Sequence, residues 1–184
     1  AVLAAEDSRF FEHGGIDPRG IARALMTNIV YGAIRQGGST ITQQLSKNYF
    51  LTPERTIARK LKEMLLSIIL ELKYTKNEIL EIYLNEIYLG QKGSVSINGV
   101  GEASYFYFGK SVSELTLAES AVIAGLIKAP NLYSPYVNTN KCRGRRDTVL
   151  QAMHRLGRIS AAQLKVEQKL EIKTVGYTDY GKKA

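Results

Sequence analysis

Apolar residues recur at helical spacing along most of the chain, and the residues between those runs are the ones that start and stop helices. Asp17-Pro18 reads as a helix start, with the Asp as cap and the Pro at the first helical position. Ile21, Ala24, Leu25 and Ile29 then trace one apolar face as far as Gly32. Met26, Val30, Tyr31, Ala33 and Ile34 surround that face and leave the segment nearly without charge, which fits either a buried core helix or a lobe that touches lipid. Gly37 and Gly38 form a turn into a polar helix that Ser39 or Thr40 can cap. Thr52-Pro53-Glu54 is expected to open the longest helix, running to about Lys73. Its predicted buried stripe is Ile57, Leu61, Met64, Leu65, Ile68 and Leu72, with Arg55, Arg59, Lys60 and Glu63 off the stripe.

Thr75-Lys76-Asn77-Glu78 is a capping box, opening a helix whose Ile79, Ile82, Tyr83 and Leu84 pack inward and which ends near Gly90. Residues 93–101 read as a loop, followed by a short helix over 103–108 and a stop at Gly109-Lys110. Thr116-Leu117-Ala118-Glu119 is a second capping box, and the apolar helix it opens, through Leu126, has the look of a core element. A basic helix from Arg145-Arg146 to Leu156 is closed by Gly157, and Ser160 caps a short helix after it. Residues 170–175 alternate like a single edge strand. The expected fold class is mainly α.

Composition narrows this picture only a little. A chain of 184 residues, 45% hydrophobic and 23% charged, is an ordinary folded domain with a real core and not a disordered segment. A net charge of +8 favours anionic partners: nucleic acid, anionic lipid headgroups or a phosphorylated substrate. Cys142 is the one cysteine, which excludes an internal disulfide framework and a multi-cysteine metal site, and two histidines count against zinc. No stretch reaches the roughly 18 apolar residues of a membrane span. The start at Ala1 without a methionine, and the polar Tyr180-Gly181-Lys182-Lys183 tail, read as a domain taken from a longer protein.

The chemistry concentrates in three places. Glu6 and Asp7 stand beside Phe10, Phe11 and His13 in a ten-residue stretch closed by Gly14-Gly15. A carboxylate next to apolar rings is partly desolvated, which raises its pKa toward the working pH of a general base. The same stretch could equally be a polar helix end leading into a glycine turn. Thr40, Gln44 and Lys47 line one helix face with Asn48 beside them, next to the free backbone amides of a helix start. A hydroxyl, an amide and an ammonium in a row suit a sugar carrying phosphate, or simply a solvated face. Arg59 and Glu63 are four apart, the spacing of a surface ion pair worth about 0.3–0.5 kcal/mol. Lys47, Arg55, Arg59 and Lys60 nevertheless put four cations within fourteen residues, a density suited to neutralising a pyrophosphate.

Taken in order, the motifs carry a family resemblance. They are Glu-Asp-x-x-Phe-x-x-His-x-Gly at 6–15, Gly-x-Ser-Thr-x-Thr-Gln-Gln at 37–44 with Lys47-Asn48, and Arg-Lys-x-x-Glu at 59–63. Lys-x-x-Ile-x-x-x-Tyr-Leu-Asn at 76–85, Tyr-Phe-Gly-Lys at 107–110 and Leu-Ala-Glu-x-Ala-x-x-Ala-Gly-Leu at 117–126 follow. Over roughly residues 1–153 the chain resembles the family 51 glycosyltransferase domain of class A penicillin-binding proteins and of monofunctional peptidoglycan glycosyltransferases. The resemblance implies a lysozyme-like helical head with a smaller membrane-facing jaw lobe, the jaw and a mobile loop falling at about 18–36. It implies one domain over 1–184, with a linker starting at about 170–184. The implied reaction is polymerisation of lipid II and the growing lipid-linked glycan strand into β-1,4 glycan with inversion, at the outer, periplasmic face of the cytoplasmic membrane. A transpeptidase domain in the full-length protein is implied as well.

By the same resemblance Glu6 matches the general base on the acceptor hydroxyl. Glu63 matches the glutamate that helps the pyrophosphate leave, directly or through a divalent ion, Mg2+ or Mn2+. Lys47, Arg59 and Lys60 match phosphate-holding positions, joined by Arg55. Asp7, Phe10, His13, Ser39, Thr40, Gln44 and Asn48 match positions that shape the donor and acceptor sites. Asn98 stands where relatives usually have an aromatic residue, and Asn138-Thr139-Asn140-Lys141 lacks their Asn-Pro. A lysozyme-like lytic enzyme is the alternative, but cleavage needs a carboxylic acid to protonate a poor leaving group. A lipid pyrophosphate leaves once its charge is neutralised, so transfer needs one base and several cations. No nucleic-acid motif is present, and nucleic acid is not an expected partner.

Overall fold

Three capping boxes set much of the helical punctuation. In the computed structural model, which describes residues 1–32, 37–50 and 56–176, Thr116 and Glu119 cap helix α7 (Leu117–Leu126) reciprocally, and Ser160 and Gln163 do the same for α10 (Ala161–Lys169). Thr75 and Glu78 exchange the equivalent bonds at the start of α5 (Lys76–Glu86). The other helices are α1 (Val2–Glu6), α2 (Pro18–Tyr31), α3 (Ile41–Phe50), α4 (Ile57–Lys73), α6 (Gly99–Phe108), the short α8 (Pro130–Tyr133) and α9 (Thr139–Arg155). Strands β1 (Tyr88–Lys92) and β2 (Val95–Asn98) form an antiparallel hairpin. The mainly helical class expected from the sequence is the one observed.

The chain divides into two compact units. One comprises Ala1–Ser8 and the chain from Leu84 onward; the other is Arg9–Tyr83. In the first, Ala121 and Ala124 of α7 meet Val149, Leu150 and Met153 of α9 and Ile159, and the small residues Ala1, Val2, Ala4 and Ala5 of α1 pack against this core. The fully buried Arg146 donates from Nη1 to the Leu170 carbonyl at 2.5 Å and from Nη2 to that of Gln168 at 2.8 Å, fastening the end of α10 to α9. The strand expected at 170–175 is not formed: those residues lack ladder pairing, and Val175 is held by its amide on the Tyr107 carbonyl and by the Tyr136 hydroxyl on its own carbonyl. Residues 177–184, the rest of the expected linker start, lie outside the described residues. The loop expected at 93–101 is instead the β1–β2 hairpin turn, β2 and the first turn of α6. Gly99, at φ 77°, makes that join possible: a Cβ there would collide with the Asn85 carbonyl oxygen. The basic helix begins at Thr139, earlier than expected, because Asn138 caps it by accepting from the Lys141 amide at 2.9 Å.

The second unit inverts an expectation. Helix α4 starts at Ile57, capped by Thr56 accepting from the Arg59 amide at 3.1 Å; the proposed start at Thr52-Pro53-Glu54 lies outside the described residues. The stripe of Ile57, Leu61, Leu65, Ile68 and Leu72 is exposed, while Glu63 and Ser67 on the opposite side are buried. The cause is the partner. Helix α3 packs on α4 and presents buried Thr42, Gln43 and Ser46 alongside Ile41 and Leu45. Thr42 donates to Glu71 of α4 at 2.6 Å, and Lys76 of α5 reaches the same carboxylate at 2.7 Å. Thr42 and Glu71 thus pair across the two polar sides, and the apolar stripe is left outside.

Helix α2 shows the same exposure at Leu25, Met26, Ile29 and Val30, with Ala24 its buried apolar side chain, so the core-helix alternative for this segment falls. Asp17 precedes α2 as expected but makes no capping bond; it accepts from Arg9 Nη1 at 3.0 Å. Residues 33–36 of the expected jaw and loop lie outside the described residues.

Candidate active site

Glu6 is the last residue of α1, and its position follows from the alanine-rich face of that helix seated on α7 and α9. Its side chain is 14% exposed, and Oε1 lies 3.6 Å from Nη2 of Arg145 on α9. Asp7 follows, buried, with its amide on the Leu3 carbonyl at 3.0 Å. The aromatic residues that the sequence placed next to Glu6 belong to the other unit. Phe10 is buried there, edge-on to Phe11 and His13, with the Lys76 ammonium 4.4 Å from its ring centroid. The charged neighbour that α9 brings to Glu6 is the Arg145 guanidinium. Sequence reading missed Arg145, since nothing local marks a contact between chain ends so far apart.

The second unit gathers the cationic chemistry. Thr40 caps α3 in a reciprocal box with Gln43, donating its hydroxyl to the Gly15 carbonyl at 2.6 Å and accepting from the Gln43 amide at 3.1 Å. Gly15, at φ 83°, lies so close to α4 that a Cβ would stand 2.7 Å from the Ser67 carbonyl oxygen; one glycine thus meets both α3 and α4. Gln44 accepts from the Tyr83 hydroxyl at 2.9 Å, while Lys47 and Asn48 are exposed farther along α3.

Glu63 is buried, with Oε2 accepting from Arg59 Nη1 at 3.2 Å and Oε1 from Lys60 Nζ; Lys60 also donates to Ser39 Oγ at 3.0 Å. The surface ion pair expected for Arg59 and Glu63 is thus a buried carboxylate between two cations, because the polar side of α4 faces inward. Ser39, Arg59, Lys60 and Glu63 are brought together. Thr40 and Gln44 are engaged in packing, and Arg55 lies outside the described residues.

A resident divalent ion does not fit this donor set. Both Glu63 oxygens already accept from cations, and among the described residues no three His, Cys, Asp or Glu side chains cluster as ligands. Mg2+ or Mn2+ would have to displace Lys60 or Arg59 and draw its remaining ligands from phosphate oxygens and water. Cys142 is buried, and burial pushes its thiol up to about 12, as suits an inert core residue.

The chain is similar to known proteins over most of its length. Residues 1–154 match the family described as Transglycosylase. The chain is 53% identical over 152 residues to penicillin-binding protein 1B of Haemophilus influenzae, covering 83% of this chain and 20% of that protein. It is 52% identical over 163 residues to penicillin-binding protein 1A of Escherichia coli, covering 89% of this chain and 19% of that protein. The chain therefore spans about a fifth of the length of these curated relatives. A crystal structure of penicillin-binding protein 1A from Haemophilus influenzae aligns with a TM-score of 0.51 at 34% identity, covering 73% of this chain and 16% of that one.

Proposed function

The chain belongs to the transglycosylase family, and on that premise we propose that it polymerises lipid II into β-1,4 glycan with inversion, releasing undecaprenyl pyrophosphate. Glu6 takes the proton of the acceptor sugar hydroxyl as that oxygen attacks the anomeric carbon of the donor chain. Arg59 and Lys60, held by Glu63, meet the charge that builds on the departing pyrophosphate, and Lys47 and Arg55 add to that field. Asp7, Phe10, His13, Ser39, Thr40, Gln44 and Asn48 are assigned to shaping the donor and acceptor sites. Any divalent ion arrives with the pyrophosphate, and no step depends on one.

The observation that carries this reading is the setting of Glu63. Both its oxygens accept from cations, so neither is placed to carry a proton to a glycosidic oxygen, as the acid of a lytic enzyme must. The exposed apolar faces of α2 and α4 support seating of the second unit on the extracytoplasmic surface of the cytoplasmic membrane, where a lipid-linked substrate lies. Among the described residues no helix is long and apolar enough to cross a membrane. A transpeptidase domain elsewhere in the full-length protein fits the share of its relatives that this chain covers. The test is to incubate the protein with labelled lipid II and resolve products on a gel. Polymer from wild type and none from Glu6→Gln is expected, with no fragments released from purified glycan. Normal polymer from Glu6→Gln refutes the role of Glu6, and release from glycan refutes the transferase.

A further inference from the structure

Arg145 is held from three sides before it meets Glu6. Its Nε donates to the Gly125 carbonyl of α7 at 3.3 Å, and its guanidinium carbon stands 6.0 Å from the ring centroid of Tyr133 on α8. Its Cγ passes so close to Gly125 that a Cβ on that residue would lie 3.0 Å away. With the side chain 13% exposed and its stem fixed, the head group has little freedom, and the carboxylate it faces is Glu6.

That carboxylate needs a cation. Glu6 closes α1, and the C-terminus of a helix carries partial negative charge that disfavours an anion. The neighbouring Arg146 does not supply the cation, since its guanidinium is spent on the Leu170 and Gln168 carbonyls and on Asp147. At 3.6 Å the Arg145 contact is a loose electrostatic tether, not a close two-pronged clamp. A base must be oriented, and a tether of this kind orients it.

We infer that Arg145 is a positioning residue for the reaction: it holds the Glu6 carboxylate aimed, and the Gly125 position is small so that Arg145 can reach it. This rests on the reading of Glu6 as the general base.

Arg145→Ala, Arg145→Lys, Gly125→Ala and Glu6→Gln are compared in lipid II polymerisation, with kcat and KM measured separately and thermal melts alongside. Arg145→Ala should lose on the order of 10–100-fold in kcat, the effect of misplacing a reacting group, with KM changed less than about threefold. Arg145→Lys should recover part of the loss, and so should millimolar guanidinium ion added to Arg145→Ala. Gly125→Ala keeps every charge, and its gain in helix propensity offsets part of the crowding against Arg145, so it should fold and lose activity in the same direction. The inference is overturned by kcat for Arg145→Ala within about twofold of wild type, or by a loss confined to KM. If Arg145→Ala does not fold, full activity in both Arg145→Lys and Gly125→Ala overturns it just as well. An active Glu6→Gln instead removes the base reading, a result distinct from a silent Arg145 beside a dead Glu6→Gln.

Discussion

Helix α4 turns its apolar stripe outward, and melting experiments can measure that orientation. Leu65 is 61% exposed and Leu72 81% exposed. Fully burying a leucine contributes about 1.5–3 kcal/mol, so the covered two-fifths of Leu65 is worth roughly 0.6–1.2 kcal/mol and the covered fifth of Leu72 roughly 0.3–0.6 kcal/mol. Alanine recovers a little of this through helix propensity. For a chain of this length 1 kcal/mol moves Tm by about 2–4 °C, so Leu65→Ala should lower Tm by no more than about 5 °C and Leu72→Ala by no more than about 2 °C.

The buried stripe that the sequence pattern suggests requires far more. Leu→Ala in a core costs about 2–5 kcal/mol, which here is roughly 4–20 °C for each leucine. Ser67→Leu is the converse experiment: Ser67 is fully buried with Gly15 against its carbonyl, and overpacking there should cost about 1–3 kcal/mol. Differential scanning calorimetry of the three variants decides the matter. Leu72→Ala melting about 10 °C or more below wild type would falsify the outward orientation.

Two further outcomes follow from the buried ion pairs and the caps. Glu63→Gln keeps the shape of the side chain but leaves Arg59 and Lys60 without the anion that fixes them; turnover should fall by about 10²-fold or more, and inorganic pyrophosphate should bind more weakly by calorimetry. Pyrophosphate binding as tight as in wild type, or tighter, would mean that Glu63 does not act by ordering the cations and would count against preorganisation. The second concerns acid. The carboxyl of Glu78 is held below its ordinary range by the Thr75 amide and hydroxyl, and that of Glu114 by the hydroxyl and amide of Ser111. For Glu119 burial pushes upward, but the bonds from Lys110 and Thr116 outweigh it and the carboxyl again sits low. With the folded-state values depressed, the unfolded chain takes up protons first, so the contribution is complete above the ordinary carboxylate value and is lost as pH falls through the depressed ones. Tm should therefore drop between about pH 5 and about pH 3, less steeply in Glu119→Gln, and equal slopes would count against the cap.

How much of this was legible in the sequence depends on how far apart the partners lie. The boxes at Thr75, Thr116 and Ser160 close within three residues, so their signature is complete in a short window, and all three form. The β1–β2 hairpin was missed although its signal was present: Val95 and Ile97 alternate after a Gly93-Ser94 turn, with Gly93 at φ 59°. The orientation of α4 was not legible at all. Periodicity shows that two faces differ, and the choice of the inward face depends on what the neighbouring helix offers. Here α3 offers Thr42, Gln43 and Ser46. The contact of Arg145 with Glu6 is longer-ranged still, set by the packing of α1 against α7 and α9 and by the space over Gly125.

The polar seam between α3 and α4 has a consequence for function. Burying ionised groups costs several kcal/mol per ion, and replacing such pairs by apolar residues is often neutral or stabilising, so Glu63 with Arg59 and Lys60 is poorly explained as a stabilising device. It is well explained as preorganisation. Two cations fixed on a buried carboxylate, one of them also bonded to Ser39, need little rearrangement when negative charge develops on a leaving pyrophosphate. The same inversion puts the apolar side of α4 on the surface, the side that the proposed function sets against the membrane of a lipid-linked substrate. On that proposal one choice of inward face serves both the chemistry and its place, and a conventional apolar seam between α3 and α4 would serve neither.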